Sequence, residues 1–371
     1  MAYRTMSSMN HGVRQIPPIG MHRAAVILGL PEAARSAGLD SADLLVRSGL
    51  SLDDLVDPDN LLPYEATCRL LHEAALQSRC DDFGLRVGRH SGLGSLGLVE
   101  ILARTCATAG EGLACVVDHL NLTSGVSMLW LQEAGSMAVL RYALCAPTSM
   151  PTLQYYDGAM AITWNIVREL CGTGSAAVEV RFAHRKPDNV RAFRGFFRSP
   201  LKFDCREYAF VLDAALLRRK LPTANEPLRV QLAAHAERMR RDIVADATGV
   251  TRRLVRKLIA VDRCSIGHVA GLMGIHRRTL DRRLDAEGTS FREQVESVRR
   301  QLARELLIDT DLSITEIADS LSYRSASSFC TAFLRWYGTN ASEFRSQNTR
   351  IDLTAAPSSP RPSFAASPES P

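Results

Sequence analysis

The sequence predicts an α+β N-terminal domain with a small sheet, followed by an all-α C-terminal domain in which a long helix joins two helix-turn-helix motifs. Three observations predict this. Apolar residues recur at helical spacing through the C-terminal part, one pattern occurs there twice, and the N-terminal part changes between helical and alternating periods. The length of 371 residues and the hydrophobic content of 46% suit two or three globular domains.

The first motif reads SIGHVAGLMGIHRRTLDRRL and starts at Ser265. Ser265 is a good helix N-cap and Gly274 a good terminator, so a short helix is predicted between them. A second helix starts near His276 and buries Leu280 and Leu284, while arginines occupy its other faces. This is the pattern of a helix-turn-helix, whose second helix can enter the major groove of DNA.

The second motif repeats the first further along the chain. Ser313 and Glu316 form a capping box, and Ser325 caps another helix that buries Phe329 and Phe333. The segment FREQVESVRRQLARELL between the motifs predicts a long amphipathic helix. A duplicated motif with a helical spacer favours DNA binding over the alternative of a plain helical bundle.

These segments resemble the DNA-binding domain of the AraC/XylS family of bacterial transcription regulators. The resemblance spans about residues 261–345 and lies in HRRTLDRRLDAEGTSFREQVESVRRQLARELL and TEIADSLSYRSASSFCTAFLRWYGTNASEF. Ser322 stands where the family usually has glycine, and Ala341 where it usually has proline. We expect Ser322 to make the second turn costlier and Ala341 to leave the start of the final helix looser.

The N-terminal part alternates between helical segments and strand-like segments. Strands are predicted at 126–131 and 137–144, which flank the turn EAGS, and at 178–184 and 208–213. The segments LLVRSGLSLDDLVDPDNLLPYEATCRLLHEAA and DDFGLRVGRHSGLGSLGLV resemble the arabinose-binding-like ligand-binding domain of the ornithine-utilisation-regulator type. That resemblance implies a small-molecule effector and a role in dimerisation. An effector pocket between helices and sheet is expected; the rival is a domain that only dimerises.

Five segments are predicted, and proline residues 222 and 227 are expected to break helix continuity between the two domains. The segments are a disordered N-terminus (1–19), an effector-binding and dimerisation domain (20–221), a linker and connecting helix (222–250), the double helix-turn-helix domain (251–347) and a disordered tail (348–371).

Other classes of protein find little support. No signal peptide or membrane span is recognisable, and nine cysteines without C-x-x-C spacing suggest reduced thiols, so a cytoplasmic, nucleoid-associated protein is expected. No cofactor motif, metal-ligand spacing or catalytic constellation is found, so an enzyme fused to a DNA-binding module is a distant alternative. The net charge of +5 is small, but basic residues cluster, first at Arg252, Arg253, Arg256 and Lys257.

The resemblance implies which side chains face DNA. Arg278 and Arg282 can contact guanine, and Asp281 can either accept from cytosine or pair with a neighbouring arginine. The second recognition helix presents short uncharged side chains suited to thymine methyls and backbone, flanked by Arg324 and Arg335 for phosphates. The predicted DNA-binding residues are Arg277, Arg278, Asp281 and Arg282 in the first helix and Arg324, Ala326, Ser327, Thr331 and Arg335 in the second.

The function expected is therefore a sequence-specific, effector-controlled transcription regulator. Activation is the commoner role in the family and enters by analogy. The long helix is expected to hold the two recognition helices about one DNA turn, ~34 Å, apart. Double-stranded DNA and a small-molecule effector are the expected partners, with RNA polymerase and a second copy of the chain as further candidates.

Overall fold

The computed structural model describes residues 16–146, 148–172, 174, 176–243, 247–259, 264–273 and 275–348. Gly274, the predicted terminator of the first short helix, lies outside the described residues. So do most of the N-terminal segment and nearly all of the C-terminal tail that were predicted to be disordered.

Residues 16–243 form an α+β unit, called here the N-terminal body. Its strands are β1 Met21–Arg23, β2 Leu61–Pro63, β3 Ser127–Ala134, β4 Met137–Leu144, β5 Glu179–Arg181, β6 Leu201–Lys202 and β7 Tyr208–Asp213. Its helices are α1 Leu30–Ser36, α2 Ser41–Arg47, α3 Tyr64–Ser78, α4 Phe83–Gly88, α5 Leu98–Arg104, α6 Ala109–His119, α7 Leu153–Cys171, α8 Arg191–Phe197 and α9 Glu226–Ile243.

The main sheet has five strands in the order β3-β4-β7-β5-β6, and only the β5–β6 pair is parallel. The predicted hairpin is present, but β3 continues through Ala134, so the turn is confined to Gly135 and Ser136. Gly135 has φ +63°, which a tight hairpin turn requires and glycine adopts easily. Strand β5 is shorter than predicted, because the chain leaves the sheet at Phe182, whose ring packs among other aromatic side chains.

Helix α7 is the central element of the N-terminal body. Trp164 on this helix is buried and stacks on Phe210 of the sheet, with 5.4 Å between ring centroids. On another side α7 crosses α4 so closely that a Cβ atom on Gly84 would lie 1.8 Å from the carbonyl oxygen of Gln154. Glycine is therefore required at this crossing for steric reasons.

Helix continuity is interrupted ahead of Pro227, as expected, since a short 3-10 helix ends at Arg218 and the next helix begins only at Glu226. Helix α9 begins at Glu226 and contains Pro227 in its first turn, where a missing backbone N–H costs no intrahelical hydrogen bond. The helix packs against the rest of the N-terminal body through Ala236, which is buried in the same core.

The C-terminal part is entirely helical within the described residues. Its helices are α10 Ala247–Ile259, α11 Ile266–Leu272, α12 Arg277–Ala286, α13 Phe291–Asp309, α14 Ile314–Ser320, α15 Ala326–Tyr337 and α16 Ala341–Asn348. The predicted caps are present: Ser265 accepts from His268 N–H, Ser325 accepts from Ser328 N–H, and Ser313 with Glu316 forms a capping box.

Two separate cores lie along α13. The first head consists of α10, α11, α12 and the N-terminal half of α13, which contributes Val298. The second head consists of α14, α15, α16 and the C-terminal half of α13, which contributes Ala303, Leu306 and Leu307. Leu302 packs against both cores, so α13 is a single rod shared by two small helical units.

The crossing of α4 and α7 generates a prediction. Gly84→Ala should lower the free energy of unfolding by about 1–3 kcal/mol, because the added methyl group must displace backbone. Gly195→Ala is the matched control, since Gly195 lies in helix α8 and an added Cβ would have no neighbouring atom within 4 Å, so this variant should be neutral or slightly stabilising. Urea unfolding of both variants measures the difference. Equal stabilities would contradict a tight crossing.

Candidate nucleic-acid interface

In each head, the second helix of the helix-turn-helix motif (α12 or α15) is held in place because its apolar side is buried. Leu280 and Leu284 of α12 are fully buried in the first head, and Phe329 and Phe333 of α15 are fully buried in the second. These four residues were predicted to be core. Because their side chains point inward, the remaining faces of α12 and α15 are turned outward.

The outward face of α12 carries the predicted DNA-contacting arginines. Arg278 and Arg282 are exposed, and neither side chain has a hydrogen bond or ion pair within the described part of the chain. Arg277 Nε lies 3.7 Å from Asp281 Oδ2, one helix turn away. The alternative role of Asp281, an ion pair with a neighbouring arginine, therefore exists in the structure.

The outward face of α15 is less charged. Ser327 and Thr331 are exposed, and the Thr331 hydroxyl donates to the Ser327 carbonyl at 3.0 Å. Ala326 is half-buried against the core of the second head. This surface offers methyl groups and hydroxyls.

The two flanking arginines differ in their surroundings. Arg324 is exposed and has no hydrogen bond or ion pair to any described residue. Arg335 is 62% exposed but donates to Glu296 Oε1 of α13 at 2.6 Å, and Trp336 Nε1 donates to the same oxygen at 2.7 Å. A phosphate contact by Arg335 would have to compete with Glu296.

Ser322 at the turn of the second motif has φ +56°, the left-handed conformation that normally favours glycine. Its hydroxyl donates to the carbonyl of Ile259 in α10 at 3.3 Å, and Arg299 Nη2 donates to the Ser322 carbonyl at 3.1 Å. Glycine could not make the first of these bonds. The strain expected from the sequence is therefore accompanied by a hydrogen bond that ties the second head to the first.

The final helix is anchored although it lacks the usual proline. Ala341 is buried, and Arg345 donates to the carbonyls of Leu307 and Leu312 at 3.3 and 2.6 Å. These bonds hold α16 against the C-terminal end of α13.

Arg256 belongs to the predicted basic cluster, yet it does not face solvent. It is 4% exposed, and its Nη2 donates to Glu305 Oε2 at 2.7 Å and to the Tyr156 hydroxyl at 2.9 Å. Tyr156 belongs to α7, so this cluster joins the N-terminal body to both α10 and α13. Sequence reasoning missed it, because nothing in the local pattern distinguishes Arg256 from its half-buried basic neighbours.

Further contacts fasten the N-terminal body to α13. Arg185 donates to the carbonyls of Ile308 and Thr310 at 2.8 and 2.7 Å, at the C-terminal end of the helix, where positive charge is favourable. Gln301 Nε2 donates to the Ala146 carbonyl at 2.9 Å. The rod that carries the two heads is thus held directly by the N-terminal body.

Within the described residues, no group of three or more His, Cys, Asp or Glu side chains is placed to hold a metal ion. None of the nine cysteines forms a disulfide; four are buried, four are at intermediate burial, and Cys330 is exposed. None of the helices in the described ranges is long and apolar enough to cross a membrane.

Comparison with known proteins agrees with this architecture. Residues 38–221 match the arabinose-binding domain of AraC transcription regulators, and residues 269–347 match a helix-turn-helix domain family. The chain belongs to the AraC/XylS family of transcription regulators. It is a transcription regulator with an arabinose-binding-type N-terminal domain and a helix-turn-helix DNA-binding domain, as the sequence predicted.

Relatives cover most of this regulator. It is 28% identical to the HTH-type transcriptional regulator VirS of Mycobacterium tuberculosis over 87% of this chain and 96% of that protein. It is 24% identical to the ornithine utilization regulator of Pseudomonas aeruginosa over 82% of this chain and 93% of that protein. The crystal structure of the transcriptional regulator CdpR from P. aeruginosa aligns with a TM-score of 0.42 and 27% identity, over 84% of this chain and 97% of that one.

The turn at Ser322 generates a second prediction. Ser322→Ala should lower the free energy of unfolding by about 0.5–1.5 kcal/mol, because it removes the hydrogen bond to Ile259 and keeps the positive φ. Ser322→Gly should be more stable than Ser322→Ala, since glycine adopts that φ without strain. Chemical unfolding of the original protein and the two variants gives the order, with Ser346→Ala, at an exposed position of α16, as control. An alanine variant as stable as the original would show that the hydroxyl contributes nothing.

Proposed function

We propose that this regulator reads operator DNA with α12 and α15 in successive major grooves, under the control of a small-molecule effector. The nine predicted DNA-binding residues are proposed as the contact set, with Arg278 and Arg282 as the principal base-reading side chains. The observation that carries this proposal is the outward, unpaired position of these two arginines on a helix whose opposite side is locked into the core. Such a DNA-binding role also favours a cytoplasmic location with the nucleoid.

Arg282→Ala tests base reading. The variant should bind its operator roughly 5- to 150-fold more weakly, which corresponds to about 1–3 kcal/mol for one bidentate guanine contact. Its preference at one base pair should also relax. Fluorescence anisotropy with the operator obtained from genome-wide mapping, and with single-base variants of it, measures both effects.

The matched control is Arg35→Ala, which removes an arginine that is 76% exposed on α1 of the N-terminal body. Its DNA affinity should equal that of the original protein. If Arg282→Ala weakened binding equally for every sequence, Arg282 would be a phosphate contact. If it changed no affinity, the proposed interface on α12 would be wrong.

Salt dependence tests the phosphate contacts. With several phosphates neutralised, operator affinity should fall steeply between low and moderate salt, by roughly one unit of log–log slope per contact. Arg324→Ala should make that slope shallower, since its exposed guanidinium is proposed to bind phosphate. An unchanged slope would remove Arg324 from the interface.

We further infer that the N-terminal body binds the effector and that the regulator acts as an activator. The match to an arabinose-binding-type domain and the name of the ornithine utilization regulator support the first inference; the second rests on family analogy.

The competing function is dimerisation without an effector. A thermal-shift screen with organic acids, amino-acid derivatives and fatty acids distinguishes them, because a ligand that binds only the folded state raises its melting temperature. Stabilisation by none of them, with a dimer in sedimentation, would favour the competing function.

A catalytic role is not part of the proposal. The relatives compared above are named as transcription regulators, and the polar clusters found in the described residues serve as hydrogen-bonded contacts within and between domains. RNA polymerase and a second copy of the chain remain proposed partners.

A further inference from the structure

A cavity of about 270 Å³ lies between the N-terminal body and the two heads. The N-terminal body contributes Trp130, Tyr156 and Tyr208 to its wall, and the helices α10 and α13 contribute Arg256, Glu305 and Asp309. Part of the turn that contains Ser322 closes another side. The cavity therefore touches the sheet, both heads and the rod between them.

Two residues that line this cavity have buried donors without acceptors among the described protein groups. Arg256 uses Nη2 for Glu305 and Tyr156, while its Nε and Nη1 have no acceptor among the described protein groups. The indole Nε1 of Trp130, a side chain 6% exposed, likewise has none. Buried donors of this kind are costly unless they meet an acceptor, so the site is built to receive a group that offers oxygen atoms.

The charges around Arg256 limit which acceptor fits. The guanidinium is fixed and positive, but Glu305 and Asp309 lie on the same side of α13, one turn apart. Burial and the neighbouring Glu305 raise the pKa of Asp309 to about 7, so near neutral pH a large share of this carboxyl is protonated and can itself donate. Arg206, Glu207 and Asp319 also line the cavity, and Glu207 is already paired with Arg141 and Arg181. Because carboxylates are already numerous here, a ligand with a single carboxylate adds less negative charge than a phosphate dianion would.

Size and shape restrict the rest of the ligand. The volume equals that of about nine water molecules at ~30 Å³ each, and it lies just below the ~300–1,000 Å³ of sites for drug-sized ligands. Tyr156 and Tyr208 stack with their centroids 4.0 Å apart and form a flat apolar wall. The site therefore suits a small molecule with an apolar chain or ring.

The other cavities fit an effector less well. The space between helices and sheet, where the sequence led us to expect the effector, measures about 60 Å³, which is room for roughly two water molecules. Two larger clefts, of about 630 and 620 Å³, are open grooves on the surface of the N-terminal body. Neither cleft touches the heads.

We propose that the N-terminal body binds the effector at its boundary with the two heads, in this interdomain cavity, and that the effector is a small monocarboxylate held by Arg256 and Trp130. This inference rests on the proposed effector control and names its site and ligand class. The wall comes from both the N-terminal body and the heads. The ligand therefore binds only when the body and the heads are in contact, which is called here the docked arrangement. It therefore stabilises that arrangement by mass action.

The test uses the full-length protein with hexanoate and phenylacetate, and with hexanamide and phenylacetamide as neutral partners of the same shape. Isothermal titration should show binding of at least one carboxylate, and at least roughly tenfold weaker binding of its amide, because the amide lacks the charge that Arg256 would pair. Trp130→Phe keeps an aromatic ring but removes the N–H, and it should weaken carboxylate binding several-fold. Arg256→Lys should weaken it further, because an ammonium group lacks the fork of donors.

Trp164→Phe is the matched control. Its indole Nε1 is also buried without an acceptor, but it lies in the core of the N-terminal body and does not line the cavity. Carboxylate binding should be unchanged in this variant. Circular dichroism of all variants shows whether they are folded, and Trp130→Phe keeps the test valid if Arg256→Lys does not fold.

The proposal is overturned if neither carboxylate binds, if acid and amide bind equally, or if Trp130→Phe binds as tightly as the original protein. Operator binding is measured on the same samples. It shows whether only the carboxylate site is wrong or whether the proposed DNA-binding function fails as well. Intact operator binding, with stabilisation by some other compound, would leave effector control standing and place its site elsewhere. If Arg282→Ala did not change operator affinity, the proposal that Arg282 reads DNA would be contradicted. Carboxylate binding would be unaffected by that outcome.

Discussion

The buried contact of Arg256 with Glu305 and Tyr156 is the interaction on which the arrangement of this protein depends. It joins three helices from different parts of the chain: α7 of the N-terminal body, α10 of the first head and the shared rod α13. Removing two charges from water is costly, and an ion pair recovers that cost only with good geometry and further hydrogen bonds. The Tyr156 hydroxyl supplies one such bond. Loss of either charged partner would leave the other buried and unpaired, so the three helices are strongly constrained to stay together.

Helix α13 transmits this constraint to the DNA-binding surface. Its apolar side is divided between two cores, while Gln301 and the carbonyls near its C-terminal end bind the N-terminal body. The hydrogen bond from Ser322 to Ile259 adds a direct connection between the heads. A change in the position of the N-terminal body therefore acts on helix α13 and on both heads attached to it, and not on one recognition helix alone.

Much of the C-terminal domain could be predicted from the sequence, because its determinants are local. Ser265, Ser313 and Ser325 cap helices through bonds to residues three positions away, and the buried stripes follow helical spacing. The family and the types of its two domains were predicted from the resemblance of whole segments to known regulators, and the matches to both domain families confirm them. Strand β5 was predicted too long, because its end depends on where the surrounding chain packs.

The contacts between domains could not be predicted, because they join residues far apart in the chain. Arg256 stands in a run of basic residues and differs from them only in what α7 and α13 place beside it. The residues proposed to contact DNA make no hydrogen bond or ion pair to the N-terminal body within the described part, and most of them are exposed, so α12 and α15 stay accessible while the body contacts the heads. An effector at the domain boundary would therefore not have to uncover α12 or α15. The effector could alter DNA binding only if it binds the docked and undocked arrangements with different affinities. The free energy that couples effector binding to DNA binding can be no larger than the difference between those two binding free energies.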